Sequence, residues 1–548
     1  IASAPTALLN TPDQQKNLVL SACQTGWWCL YPDYGDDGTL HGWGVFVGNI
    51  CGLIPQDLFT QLDPFWQSPS IQTITCQGRE LLRHSVTPAH LCDVQLMSCV
   101  LYGGKHDHDL ATLLTQYTSL NLHSATAAVY AQGLGQLFLY FQKNLLQAKI
   151  LSVYQRCEQF LPSLLFRMEQ QGVTCQASVL DQLQNQWSQS LGILSQSLRS
   201  QAQDPDLNLN SPKQISHVLY DQFQLHQGKK TKQGWGQTDS DTLENLSFHP
   251  FVQDLLKWRK IAKLQSTYGH ALSKHIHPTT QRIHSHWISA STATGRLSSR
   301  NPNMQNIPVS EGIRQAFCAP EGHVFVSLDY SQIELRLLAL MGPVQPLQEA
   351  FDNHMDIHTL TAHRLFQVAI DQVSSEQRQR AKTVNFGILY GMSAFGLARR
   401  LHISRTQAQS YIQSFFHHYP SVKTYIDQQI HQAKTQGFVR TLWGRRCYIT
   451  RKAMGDRQAI NAPLQGTSAD FIKASMGCID TLIQQHNLPI RLVMQVHDEL
   501  VFEMPKDMID PWTDVFRKTM ETCHDTRHPF PVHCHQGKQW GDMQAHKS

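Results

Sequence analysis

The run RLVMQVHDELVFE, residues 491–503, constrains the fold more than any other stretch of this chain. Leu492, Met494 and Val496 alternate with polar neighbours before a break at His497, Asp498 and Glu499, and Leu500 and Phe502 resume the apolar pattern after it. A period of two is what a strand with one buried face requires, and two such runs around a short polar break make a hairpin. The spacing predicts two strands with the carboxylates at their shared tip. Taken alone, an Asp there is equally ordinary turn chemistry, so its purpose depends on what the rest of the chain brings to it.

At 548 residues the chain exceeds a single core, and several domains are expected. A hydrophobic fraction of 41% with 16% charged residues is globular. There is no apolar run of the roughly 18 residues that a membrane span needs, so the reading is a soluble protein without membrane attachment. A formal net charge of +4 neither requires nor excludes a polyanionic partner, because a basic groove coexists with acidic faces elsewhere. Thirteen cysteines without a C-x-x-C pair predict free thiols in a reducing compartment. HPFPVHCHQ (528–536) carries His528, His533, Cys534 and His535, but strand alternation puts His533 and His535 opposite Cys534. It reads as a surface strand rather than a zinc site. A chain that opens on Ile1 reads as a processed or trimmed fragment.

Residues 1–150 mix strand-like and helical pieces, as an α/β domain does. From 151 to 280 the pattern is helical, with a helix start at Ser211, Pro212 and Lys213 and a basic loop at 226–237 that suits phosphate contact and solvation equally. In HVFVSLDYSQIELRLLALM (323–341) an apolar strand runs into Asp329 and is followed by a helix. A carboxylate at a strand end suits a divalent cation, and it also suits a helix cap. If that strand lies beside the hairpin, Asp329 and Asp498 converge and can hold two metals about 4 Å apart. The acids at the hairpin tip would then be there for metal.

SEQRQRAKTVNFGILYGMSAFGLARRL (375–401) places Arg378, Lys382, Phe386 and Tyr390 at four-residue intervals, one slowly winding helical stripe. Cations suit a triphosphate and aromatics a base or sugar; a solvated basic end and a packed aromatic end would look the same. Gly387 and Gly391 are costly inside a helix and predict close approach or mobility. TATGRLSSRNPNMQNIP (292–308), with Arg296, Asn301, Asn303, Gln305 and Asn306, and DRQAINAPLQGTSADFIK (456–473), with Arg457, Asn461 and Gln465, present groups suited to phosphates and groove edges.

The runs SLDYSQIELR, RQRAKTVNFGILYGMSAFGLA, NAPLQGTSAD and MQVHDELVFE, in that order, resemble the family A DNA polymerases, the bacterial DNA polymerase I group with its Klenow-type large fragment. The resemblance is dense over 150–548. It implies a mixed α/β right-hand polymerase fold: a thumb at 151–280, a palm at 281–345 and 455–548, and fingers at 346–454. A degenerate RNase H-like 3′–5′ exonuclease domain would occupy 1–150.

By resemblance, Asp329, Asp498 and the Tyr330 carbonyl hold two Mg²⁺ ions, with Mn²⁺ as a substitute, and Glu499 is a further acid near the site. Arg378, Lys382, His358 and Gln332 match nucleotide contacts, Lys382 also as a proton donor to the leaving group. Phe386 and Tyr390 face sugar and base, and Glu334 the sugar 2′ position. Arg296, Asn301, Gln305, Gln465, Gln495 and His497 match primer and minor-groove contacts, Arg457 and Asn461 template contacts, and Ser211 and Lys213 contacts to the duplex. Primer–template DNA and deoxynucleoside triphosphates are the implied partners of a monomeric, cytoplasmic, nucleoid-associated enzyme.

Two departures qualify this. Between GRRCYIT and DRQAINAP the chain is shorter than the family pattern. In the amino-terminal domain, where the family has Asp and Glu two apart on its first strand, WWCLYPDYG offers only Asp33. Where it has Tyr and Asp four apart, TAAVYAQG places Thr126 and Tyr130. Proofreading is therefore expected to be lost. A 5′-nuclease segment is absent from these residues. A single-subunit RNA polymerase is the rival enzyme reading, opposed by Glu334, and a non-catalytic DNA-binding scaffold the rival of another class, opposed by the two palm aspartates.

Overall fold

The computed structural model describes residues 7–546 apart from 124, 227–229, 232, 451–454, 527 and 529. Part of the basic loop 226–237 and the short link after GRRCYIT lie outside the described residues. Among the described residues no helix is long and apolar enough to cross a membrane.

The amino-terminal part is a six-stranded mixed sheet of β1 (Ala7–Leu8), β2 (Trp27–Tyr34), β3 (Leu40–Val47), β4 (Ile50–Pro55), β5 (Gln72–Thr75) and β6 (His90–Asp93), in the order β1-β4-β3-β2-β5-β6. Alternation along β2 splits it between two cores. Trp28 and Leu30 enter an aromatic cluster with Trp43, Phe59 and Trp66, whereas Cys29 faces the large central core together with helix α1 (Ala127–Gln147). Gly44 is required where α1 crosses β3: a Cβ there would lie 2.1 Å from the Ala127 carbonyl oxygen.

Two long helices follow, α2 (Ala177–Gln201) and α3 (Pro250–Tyr268), packed on each other. Their far end carries its own small core, with Leu198, Leu219, Phe251 and Leu255 fully buried, so this part folds around contacts separate from the main core.

The carboxy-terminal half is built on a five-stranded antiparallel sheet. The elements that bear on the site are, in chain order, β7 (His323–Tyr330), α4 (Ile333–Met341), α5 (Ile357–Phe366), α6 (Ser375–Leu389), α7 (Gly455–Gln485), β8 (Arg491–Val496), β9 (Glu499–Pro505), α8 (Ile509–Thr522), β10 (Val532–Gly537) and β11 (Gln544–Ala545). The strand order is β8-β9-β7-β10-β11. The β8–β9 hairpin forms as its alternation requires, with Val496 paired to Glu499 across a two-residue turn. Central β7 buries Phe325, Val326 and Leu328, and α7 packs against both α4 and α8.

Candidate active site

The sheet register brings the acids together. Asp329 of β7 stands opposite Glu499 on β9 and His533 on β10. The Tyr330 N–H donates to the Asp498 carbonyl at 3.3 Å, which ties the hairpin turn to the end of β7. His497 takes φ +56°, a left-handed value that lets the chain reverse within two residues, and its side chain is exposed. Ser468 of α7 donates to Asp498 Oδ1 at 2.5 Å. Glu499 Oε1 accepts from Ser327 Oγ at 2.5 Å and from the Trp540 indole at 3.4 Å, while Arg314 stands 4.0 Å from its other oxygen.

Burial, and then the negative charge of Glu499 and Asp498, push the Asp329 carboxyl up to about 7. The cluster therefore carries more negative charge than its protein surroundings neutralise. A divalent cation would remove that penalty, so the residues fit one. Among the described residues no group of three or more His, Cys, Asp or Glu is placed to hold a metal. Asp329 and Asp498 are thus the candidate carboxylates for such an ion, and Glu499, engaged by Ser327 and Trp540, adds negative charge beside them.

Helix α6 begins in a capping box, with Ser374 and Gln377 exchanging bonds with each other's backbone. Arg378 lies one turn in and donates to Asp356 through Nε at 2.7 Å and through Nη2 at 2.6 Å. Asp356 also caps α5 by accepting from the His358 and Thr359 N–H groups at 2.7 and 3.1 Å. Lys382 is exposed. His358 is buried, its Nδ1 3.0 Å from Asn385 Nδ2, and burial lowers its pKa to about 4, so the imidazole is neutral. Phe386 and Tyr390 stack at 6.1 Å.

The expected helical stripe ends sooner than its spacing predicts. Tyr390 caps α6, and Gly391 lies beyond the helix at φ +63° rather than inside it. That glycine is needed for the turn and for contact with α7: a Cβ there would meet Ile460 and Arg457 at 3.1 and 3.2 Å. Gln332 precedes α4 at φ 50°, with its Oε1 buried and unbonded. Glu334, in the first turn of α4 and only 7% exposed, accepts from Arg296 at 2.9 Å and from the Tyr390 hydroxyl at 2.5 Å.

A narrow cleft beside the acids is lined by Arg296, Gln305, Ser468, Gln495, His497 and Asp498. Within it Gln305 donates to Gln495 at 2.8 Å. Arg457, Asn461 and Gln465 follow one another along α7, Arg457 exposed and the Asn461 Oδ1 buried without a partner. Asn301 is exposed at φ +55°. Ser211 and Lys213 are not brought to the carboxylates: Ser211 caps the short helix Pro212–Ser216, and the Lys213 ammonium sits 5.2 Å from the Trp235 ring. In the amino-terminal sheet Tyr31 of β2 stacks on Tyr130 of α1 at 4.8 Å, two positions from Asp33, and Thr126 is the residue before α1.

Sequence reasoning missed Ser468, Ser327, Arg314, Trp540, Asp356 and Asn385. Two of these left a signal: Ser468 lies three residues after Gln465 on the same side of its helix, and Ser327 two residues before Asp329 on the same strand face.

A central antiparallel strand that meets an acidic hairpin, flanked by a helix with cations and stacked aromatics, is the architecture of the right-hand polymerase fold. Residues 177–542 match DNA polymerase family A, and the chain belongs to that family. It is 38% identical over 427 residues to DNA polymerase I of Rhizobium leguminosarum, covering 74% of this chain and 42% of that protein. It is 40% identical over 421 residues to DNA polymerase I of Treponema pallidum, with the same coverages of 74% and 42%. The chain therefore spans less than half the length of these relatives. Its fold is similar to the solved POL domain of Pol1 from M. smegmatis in complex with DNA primer-template and dNTP, with a TM-score of 0.89 and 28% identity over 97% of this chain and 99% of that one.

Proposed function

We propose that the chain is a template-directed DNA polymerase that extends a primer 3′-hydroxyl with deoxynucleoside triphosphates, using Asp329 and Asp498 as the metal-holding pair, and that it does not proofread. The observation that supports this most is the convergence of Asp329, Asp498 and Glu499 at the junction of β7 with the β8–β9 turn, in a chain of this family. Two Mg²⁺ ions held there would lower the pKa of the attacking hydroxyl and neutralise phosphate charge.

The remaining work falls to side chains. Arg378 and exposed Lys382 put positive charge along α6 for a triphosphate, with Lys382 free to give a proton to departing pyrophosphate; Arg378 would exchange Asp356 for phosphate oxygens on binding. Phe386 and Tyr390 offer stacked faces to the base and sugar, and Glu334, fixed from two sides, crowds the sugar 2′ position. Thumb, palm and fingers at the expected boundaries, primer–template DNA as partner, a monomeric state and a cytoplasmic location belong to the same proposal. In the amino-terminal domain Asp33 is the one carboxylate on the matching strand, and Tyr130, stacked on Tyr31, stands where the family pattern has an Asp, so no two-metal hydrolysis is supported there.

Primer extension with Mg²⁺ and deoxynucleotides in one tube and ribonucleotides in another tests the proposal. The expected result is extension in the first tube only, lost in Asp329→Ala and Asp498→Ala while duplex affinity is nearly retained, because phosphate contacts spread over the protein dominate affinity. Substantial extension by either variant would refute the metal pair. A mismatched primer incubated without nucleotides should keep its length; progressive shortening would refute the loss of proofreading.

A further inference from the structure

One pair of cysteines differs from the other thiols in its company. Cys478, on α7, is exposed, and Cys523, just past the end of α8, is half-buried. Ser475 lies one turn before Cys478 on the same face of α7, and its Oγ is 3.3 Å from the Cys523 sulfur. Ser475 thus joins the two thiols: it touches the Cys523 sulfur and precedes Cys478 by one helical turn. Arg156 is anchored beside them: its Nη2 donates to the Cys523 carbonyl at 2.7 Å and to Asp525 at 2.7 Å, with the guanidinium 4.3 Å from the Trp443 ring. The Cys523 thiol, and then the Arg156 charge, lower the Cys478 thiol to about 7. An exposed thiol with a second thiol at hand and a cation beside it has the features of a redox-sensitive cysteine.

We propose that Cys478 and Cys523 form a reversible disulfide modification site, oxidised by a hydroperoxide. The Cys478 thiolate attacks the terminal peroxide oxygen, the O–O bond breaks, and the leaving alkoxide takes up the proton that Cys478 had released. Cys523 sulfur then attacks the sulfenic sulfur; the S–S bond forms, the S–O bond breaks, and hydroxide leaves with the Cys523 proton as water. Two thiols and one hydroperoxide give one disulfide, one water and one alcohol, the alcohol being a second water when the oxidant is hydrogen peroxide.

The pair lies behind the acidic site. The Tyr330 hydroxyl donates to the Met520 carbonyl at 2.6 Å and lies 2.8 Å from Ser475 Oγ, the same oxygen that touches Cys523. A disulfide needs its sulfurs about 2 Å apart, so closure draws Cys523 away from Ser475 and disturbs the anchorage of the residue that follows Asp329. Slower extension is the expected consequence, which rests on the polymerase reading above.

The test treats reduced protein with hydrogen peroxide, blocks remaining thiols with iodoacetamide, and reads both the peptide map and the extension rate. The expected map joins the peptides of Cys478 and Cys523, lighter by two hydrogens, with extension severalfold slower until dithiothreitol restores it. Cys478→Ser should give no cross-link and keep its rate under peroxide, and Cys523→Ser should leave a sulfenic acid at Cys478 that dimedone traps. Full alkylation of both cysteines after peroxide overturns the site, and a cross-link that leaves the rate unchanged overturns its link to Tyr330. A reduced protein that never extends a primer would refute the polymerase reading, while the peptide map still decides the thiol pair.

Discussion

Asp329 is held in the fold at a cost in stability. Its carboxyl titrates near 3.8 in an unfolded chain and at about 7 in the fold, raised by burial and by Glu499 and Asp498. Between those values the folded state keeps a proton that the unfolded state releases. Metal-free stability must therefore fall as pH rises from about 4 to about 7 and stay reduced above it. The cost above pH 7 is on the order of a few kcal/mol. Asp329→Asn should accordingly raise the urea midpoint of metal-free protein at pH 8, with a gain that shrinks toward pH 5, and Mg²⁺ should stabilise the wild type at pH 8 but not the variant. Equal midpoints at pH 8, or equal stabilisation by Mg²⁺, would show that the charge on Asp329 is compensated by protein groups alone.

At the scale of elements, the end of α6 is docked on the start of α4 through three side chains: Tyr390 and Arg296 each give a hydrogen bond to a different oxygen of Glu334. Tyr390→Phe removes one donor and strands a buried carboxylate oxygen, at a cost of about 1–3 kcal/mol. Glu334 then has one tether instead of two, so discrimination against ribonucleotides should weaken, though less than in Glu334→Ala. The ratio of kcat/KM for deoxynucleotides to ribonucleotides in the two variants checks this, and a wild-type ratio in Tyr390→Phe would show that Arg296 alone positions the acid. The elements were legible because periodicity is local: alternation defines β8 and β9, and the four-residue spacing from Arg378 to Phe386 defines α6. The bonds between elements were not. Arg378 reads as a free cation on its helix face, and only the approach of α5 shows it held by Asp356. Likewise nothing in the spacing of Ser468 and Asp498 announces their bond.

Over the whole molecule, the parts are joined by a cluster of four buried charges that no local pattern reveals. Arg445 donates to Glu158 and to Asp470 at 2.6 Å each, and Lys473 donates to Glu158 at 2.7 Å; none of the four side chains is more than 1% exposed. Glu158 follows the helix Leu151–Cys157, Arg445 lies between the paired strands Phe438–Arg440 and Arg446–Tyr448, and Asp470 and Lys473 lie on α7, two residues or more past Ser468. Gly295, at φ +78°, brings a fourth segment in: a Cβ there would press on the Arg445 guanidinium at 2.9 Å, so only glycine lets the neighbouring Arg296 reach Glu334 from this course of the chain. Two positive and two negative groups balance, and buried ions cost several kcal/mol each unless paired, so removing one member is far worse than never having had the set. Arg445→Met should therefore lower the unfolding free energy by about 3–5 kcal/mol, leaving Lys473 to face two carboxylates. Lys423→Met, which breaks an exposed pair with Asp427 on one helix, should change it by less than about 1 kcal/mol. Urea unfolding of the two variants side by side separates burial from pairing: similar losses in both would mean that Arg445 contributes no more than a surface ion pair, and that the segments are held together by apolar packing alone.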